Sequence, residues 1–204
     1  MATNLDPRLL DGDGPANLEV RQHDIQTDPL PGGRFDLAHA RAVLMYLPER
    51  QQALERMLAS VRPGGWVVVE EPDFSGAMVP ALARYTDPPL TDVGLWERVS
   101  RGVQASLVAA GADVGMGARL PRVLAQAGLE QVDAQLHTPL HRGSKQDLCR
   151  LSIQQLRPRL VGSGLVTDEE VQRILALTAQ PWFEHLPFVM VSVWGQQPAA
   201  GSQG

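Results

Sequence analysis

Phe35-Asp36-Leu37-Ala38-His39-Ala40-Arg41, then Leu47-Pro48, then Val61-Arg62-Pro63-Gly64-Gly65-Trp66-Val67-Val68-Val69-Glu70, is the stretch on which the fold turns. Apolar Phe35, Leu37 and Ala38 lead into the polar tip Arg41, as a strand and its end should read. Leu47-Pro48 opens a segment with Ala53, Leu54, Met57, Leu58 and Val61 at helical spacing, predicted to stop at Pro63-Gly64-Gly65. Trp66 to Glu70 is too apolar for a strand with a wet face, so it predicts a parallel strand covered on both sides. Strand, helix and strand joined this way form one right-handed crossover unit.

Outward from that unit, strands and helices alternate. Ala2 to Leu10 reads as a strand end running into a helix start, with Asp6-Pro7 as N-cap and first helical residue. Asn17 to Gln22 alternates as a short strand, His23-Asp24-Ile25 sits at its tip, and Gln26 to Arg34 is a polar, proline-rich loop. Helices are predicted over Thr91–Ala110, Leu120–Ala127, Gln146–Leu160 and Asp168–Ala179, the last with Thr167 and Glu170 as a capping box. Leu129–Leu140 and Pro187–Trp194 read as a closing pair of strands. The layout is an α/β three-layer sandwich with a mostly parallel sheet, and such sheets bind ligands outside the carboxyl ends of their strands. Asn4, Asp24, Arg41 and Glu70 to Asp73 all fall at those ends. Residues 1–196 read as one domain and 197–204 as a flexible tail, with no internal repeat or linker.

The bulk properties narrow the function. With 204 residues, 44% hydrophobic and 20% charged, the chain suits one ordinary globular core. A net charge of -5 argues against nucleic acid as the main partner. One cysteine, Cys149, leaves no internal disulfide framework and fits a reducing compartment. No apolar run is long enough to span a bilayer, and Met1 to Asp6 lacks a secretory pattern, so a cytoplasmic location is expected.

The strand tips carry a family resemblance. Asn17 to Ile25, Phe35 to Arg41, Leu47-Pro48-Glu49-Arg50 and Val61 through Glu71 resemble the class I methyltransferases that use S-adenosylmethionine, and Leu120-Pro121, Ala127-Gly128-Leu129 and Val191 to Gly195 resemble that family's C-terminal half. The resemblance covers nearly the whole chain. It implies a Rossmann-like sheet whose last strand is antiparallel and inserted between two others, S-adenosylmethionine as cofactor, and a small-molecule methyl acceptor. It further implies that Asp24 accepts from the adenine amino group while Ile25 packs on the ring. Ala40 and Arg41 would lie beneath the methionine part. Asn4, with Leu5 beside it, would stand where the family usually places an acid for the ribose hydroxyls. Absent upstream of Asn4 are the family's first strand and its glycine-rich loop, and Gly115-Met116-Gly117 does not replace them because no strand precedes it. The chain therefore reads as an incomplete methyltransferase fold, with an upstream frame expected to encode the rest. Residues 1–25 are expected either to pair with the Phe35 strand or to be poorly fixed.

Other residues have plainer readings. Tyr46 and Asp73 are candidates for a substrate pocket, although Met45 and Tyr46 also suit loop packing, and Glu71 and Asp73 suit caps or solvent-facing acids. Arg41 is either a site residue or a solvated strand end. His137 and His141 have a spacing that grips metal on a helix, but they lie in strand-like sequence broken by Pro139, so no metal site is expected. Cys149 reads as packing, and Trp182, Phe183 and Trp194 as core. No catalytic dyad is visible, and methyl transfer by in-line displacement needs alignment and desolvation more than acid–base groups. A non-catalytic remnant or interaction module is the alternative, and a nicotinamide-dependent enzyme, which also needs a glycine-rich first turn, is a weaker third.

Overall fold

The computed structural model describes residues 1–6, 8, 15–31, 34–74, 81–87, 91–144 and 147–199. Its strands are β1 (Ala2–Asn4), β2 (Val20–Gln22), β3 (Phe35–Arg41), β4 (Val61–Asp73), β5 (Glu130–His137), β6 (His141–Arg142), β7 (Glu184–His185) and β8 (Val189–Gln196). The helices are α1 (Arg50–Ala59), α2 (Val93–Ala109), α3 (Met116–Gln126), α4 (Leu148–Gly162) and α5 (Asp168–Thr178). The fold class is α/β, with the expected crossover: β3 and β4 pair in parallel across α1. The main sheet runs β3-β4-β8-β5, and β8 is antiparallel to both neighbours. This is the inserted last strand that the resemblance implies.

Two cores divide the molecule. One lies between the sheet and the helices α1 and α3, where Val67, Val69, Val191 and Val193 meet Leu54, Met57, Leu120 and Leu124. The other lies among α2, α4 and α5 and holds Trp96, Val99, Ile153, Leu160, Ile174 and Phe183. The second group forms a cap beside the carboxyl ends of β3 and β4. The opposite face of the sheet carries half-buried Trp66, Val68 and Trp194 and exposed Leu37. Trp194 is therefore outside the core, as is Trp182 at 56% exposure; of the three aromatics expected there, Phe183 is the buried one.

Several boundaries differ from the sequence reading for identifiable reasons. Helix α1 ends at Ala59, where Ser60 Oγ donates to the Met57 carbonyl, and Val61 already begins β4. Pro63-Gly64-Gly65 lies inside that strand as a bulge, because the register jumps from Phe35↔Val61 to Leu37↔Trp66. A Cβ on Gly65 would stand 2.9 Å from the Asp36 carbonyl oxygen, so glycine lets the strands close up there. Helix α3 runs Met116–Gln126, starting four residues before the expected Leu120, and holds Pro121 in its interior. The Thr167–Glu170 capping box forms as expected. Pro7, on which the helix start at Asp6-Pro7 depends, and the tail beyond residue 199 lie outside the described residues.

Among the described residues of 1–25, none pairs with the Phe35 strand. β1 pairs in parallel with β2, Ala2↔Val20 to Asn4↔Gln22, as a separate two-stranded ladder. The turn after β2 is tied instead to α1: Arg56 Nε donates to the Ile25 carbonyl at 2.6 Å, and Glu49 N to Gln26 Oε1 at 3.3 Å. Ile25 packs against the sheet core from that position.

Candidate functional site

The tip of β3 is held open by a buried acid. Ala42 N still bonds the Glu70 carbonyl, but Ala42 then adopts φ 51°, a left-handed conformation that stops the strand. The next two amides, Val43 N and Leu44 N, donate to Glu71 Oε1 at 3.0 and 2.7 Å. Glu71 is fully buried, and its other oxygen has no hydrogen-bond partner. Burial raises its carboxyl above the ordinary 4.5, the backbone amides of Val43, Leu44 and Met45 pull it back, and the Asp113 charge adds to the rise. Of the two plain readings of Glu71, a cap or a solvent-facing acid, the second is wrong: the side chain is buried and accepts from backbone amides. Alternation along β4 turns it to the covered face while Glu70 faces the open one.

Glu70 anchors a polar row on that open face. Ser192 Oγ donates to Glu70 Oε1 at 2.5 Å, His39 Nε2 lies 3.0 Å from Oε2, and Arg41 Nε lies 3.9 Å from the same oxygen. These contacts, the Ser192 hydroxyl foremost, hold the Glu70 carboxyl below its ordinary value.

Past the tips of β3 and β4 lies a cavity of about 610 Å³, roofed by α2 and α4. Arg41, Tyr46, Phe74 and Phe188 form its floor side, with Val103 of α2 and Leu156 of α4 opposite. Arg41 is the one charged side chain among the described wall residues. Burial, then the Glu71 charge, raises the Tyr46 hydroxyl above its ordinary value, which keeps it protonated. Cys149, half-buried at the start of α4, also lines the wall; burial and the Asp147 charge push its thiol up to about 12. It offers no thiolate for chemistry.

The structure brings some of the expected site residues together and leaves others apart. Arg41 and Tyr46 share the cavity wall, and Asp73 ends β4 between the wall residues Pro72 and Phe74. Ala40 packs against the sheet core. Asn4, Leu5, Asp24 and Ile25 lie outside the wall, on and beside the β1–β2 ladder. Asn4 Oδ1 accepts from Asp6 N, while Asp24 Oδ1 accepts from Gln26 N at 2.8 Å, an Asx turn that shapes its own loop. Leu5 is 59% exposed.

A family model described as a methyltransferase domain matches residues 2–69. That match covers the first third of the chain. A methyltransferase (str3) of Strobilurus tenacellus is 39% identical over 61 residues, 29% of this chain and 22% of that protein. An uncharacterized 37.1 kDa protein in transposon TN4556 of Streptomyces fradiae is 28% identical over 169 residues, 83% of this chain and 43% of its own length. The chain thus spans less than half the length of either relative. A crystal structure of a candidate methyltransferase from Bacillus halodurans C-125 superposes with a TM-score of 0.52 at 12% identity, covering 94% of this chain and 77% of that one. That likeness shows a shared fold alone.

The cap helices supply cavity residues that the sequence reading passed over. Ser100 and Gln104 on α2, with Ser152 and Gln155 on α4, face the cavity. Their signal was available as polar positions breaking the apolar side of each helix. Without the position of the sheet, nothing distinguished a polar cavity wall from a solvated face.

Proposed function

We propose that this chain binds S-adenosylmethionine and forms the acceptor pocket of a methyltransferase acting on a small molecule with an apolar body and one polar or anionic end. The family match over residues 2–69 carries the reading, because it spans Asn4, Asp24 and Arg41 and ends beside the strand tips that floor the cavity. The donor set suits the cofactor. Asp24 is a part-buried carboxylate that can accept from an exocyclic amine, and Ile25 beside it offers an apolar surface. Bound there, the cofactor would supply an electrophilic methyl on a sulfonium. The chain's own task is alignment and exclusion of water. Glu71 holds the β3 tip, Arg41 attracts the acceptor's polar end, and the cap closes an apolar wall over its body.

One observation favours the second reading, a non-catalytic interaction module. Asn4 and Asp24 sit on a ladder separate from the sheet that bears Arg41. Calorimetry with S-adenosylhomocysteine separates the two. Binding at one molecule per chain, weakened about tenfold or more in Asp24→Ala as loss of a charged hydrogen bond requires, is the expected result. No binding by the intact chain would leave the interaction module.

A further inference from the structure

We propose that His141, Asp147 and His185 form a binding site for one divalent first-row transition ion of the zinc type, behind the cavity wall. His141 on β6 and His185 on β7 are directly paired across an antiparallel ladder, which turns both rings to one side. Asp147 caps α4: its Oδ1 accepts from Arg150 N at 2.8 Å, and its Oδ2 lies 2.7 Å from His141 Nδ1 and 3.6 Å from His185 Nε2. The three donor atoms all lie within 4.8 Å of one another. Zinc bound at about 2.1 Å by two such donors in a tetrahedron would separate them by about 3.4 Å, between the two contacts seen.

The buried histidine is the observation that asks for a ligand. His185 is fully buried, and neither ring nitrogen has a hydrogen-bond partner. At 3.6 Å its Nε2 is too far from Asp147 Oδ2 for a hydrogen bond. Leaving such a group unpaired is costly, and natural structures do so where something else satisfies it. Asp147 points the same way. Its side chain is 2% exposed, and among the described residues its side-chain ion contacts are to the two histidines alone, with no lysine or arginine. One buried carboxylate with two neutral imidazoles is a donor set that zinc accepts, with a fourth position left for water. His141, whose side chain is 18% exposed, marks the side from which water would enter.

The rings are already oriented. Phe183 stacks on His185 at 5.4 Å, Trp96 meets it edge-on at 5.4 Å, and Phe188 meets His141 edge-on at 6.2 Å. Trp96 and Phe188 also line the cavity. An ion here would clasp β6, β7 and the start of α4 and so stiffen the cap. His137, the partner suggested by helical spacing, pairs with Met190 on the main sheet and is not part of the cluster.

Cobalt(II) titration of the chelator-treated chain, followed by visible absorption, with zinc as competitor, tests the site. Saturation at one ion per chain is expected, with affinity lowered about 100-fold or more in His141→Gln and in Asp147→Asn, since even indirect partners of a metal are worth 10–100-fold. The asparagine keeps the oxygen that caps α4. Nitrogen-15 spectra of the unaltered chain give a second readout that needs no variant: zinc should shift the ring nitrogens of both His141 and His185. Absence of stoichiometric binding, unchanged affinity in both folded variants, or histidine signals indifferent to zinc would overturn the proposal.

Discussion

At the residue scale, Glu71 controls the shape of the site. Two backbone amides end on one of its oxygens, so Glu71→Ala should leave the buried Leu44 amide and the part-buried Val43 amide without that partner, destabilising the chain by about 1–3 kcal/mol. Its pH behaviour has a definite sign. The folded carboxyl titrates above its ordinary 4.5, so between the two values the folded chain holds a proton that the unfolded chain has released. This contribution to stability is full below 4.5 and is lost as pH rises through the folded value. Urea unfolding across that interval should show the loss in the natural chain and a flatter profile in Glu71→Gln. A profile unchanged by the substitution would remove Glu71 as its source.

At the scale of elements, the approach of α3 to β4 rests on Gly117. A Cβ there would meet the Glu71 carbonyl oxygen at 2.8 Å and Asp73 N at 3.1 Å, both backbone atoms that cannot swing aside. Gly117→Ala should therefore push the helix off the strand and destabilise the chain by about 1–3 kcal/mol, as overpacking does, readable as a lowered urea midpoint. An alanine at Gly111, where a Cβ meets nothing within 4 Å, is a poor control because φ there is +89°. Gly162 has the same open space without that backbone and should tolerate the change with little loss. The sequence reading set Gly115-Met116-Gly117 aside as a cofactor loop, because no strand precedes it. In the fold, Gly117 is a close-packing position.

At the scale of the whole molecule, the cavity exists because two cores meet without merging. Sheet tips supply one wall and the cap helices the other. An apolar body with one anionic end should bind there, and anilinonaphthalene sulfonate is a probe of that shape. Val103→Trp, which fills the wall contributed by α2, should reduce its fluorescence enhancement several-fold while leaving S-adenosylhomocysteine binding unchanged. Equal enhancement in both chains would place the probe elsewhere.

The parts of this protein legible in the chain itself were those set by short-range rules. The apolar run Val67–Val69, the helical spacing of Ala53 to Leu58 and the Thr167–Glu170 box each depend on residues within a turn or a strand of one another, and each formed where expected. The α/β class and the resemblance that the N-terminal family match supports followed, because strand tips carry their polar residues in sequence order. Tertiary structure decided the rest. Which face of β4 is covered determined whether Glu71 is a solvent acid or a buried clamp. The pairing of β6 with β7 brought His141 to His185 and Asp147, an encounter no local spacing encodes. The separation of β1–β2 from the main sheet also came from ladder partners, which a strand's own residues do not name.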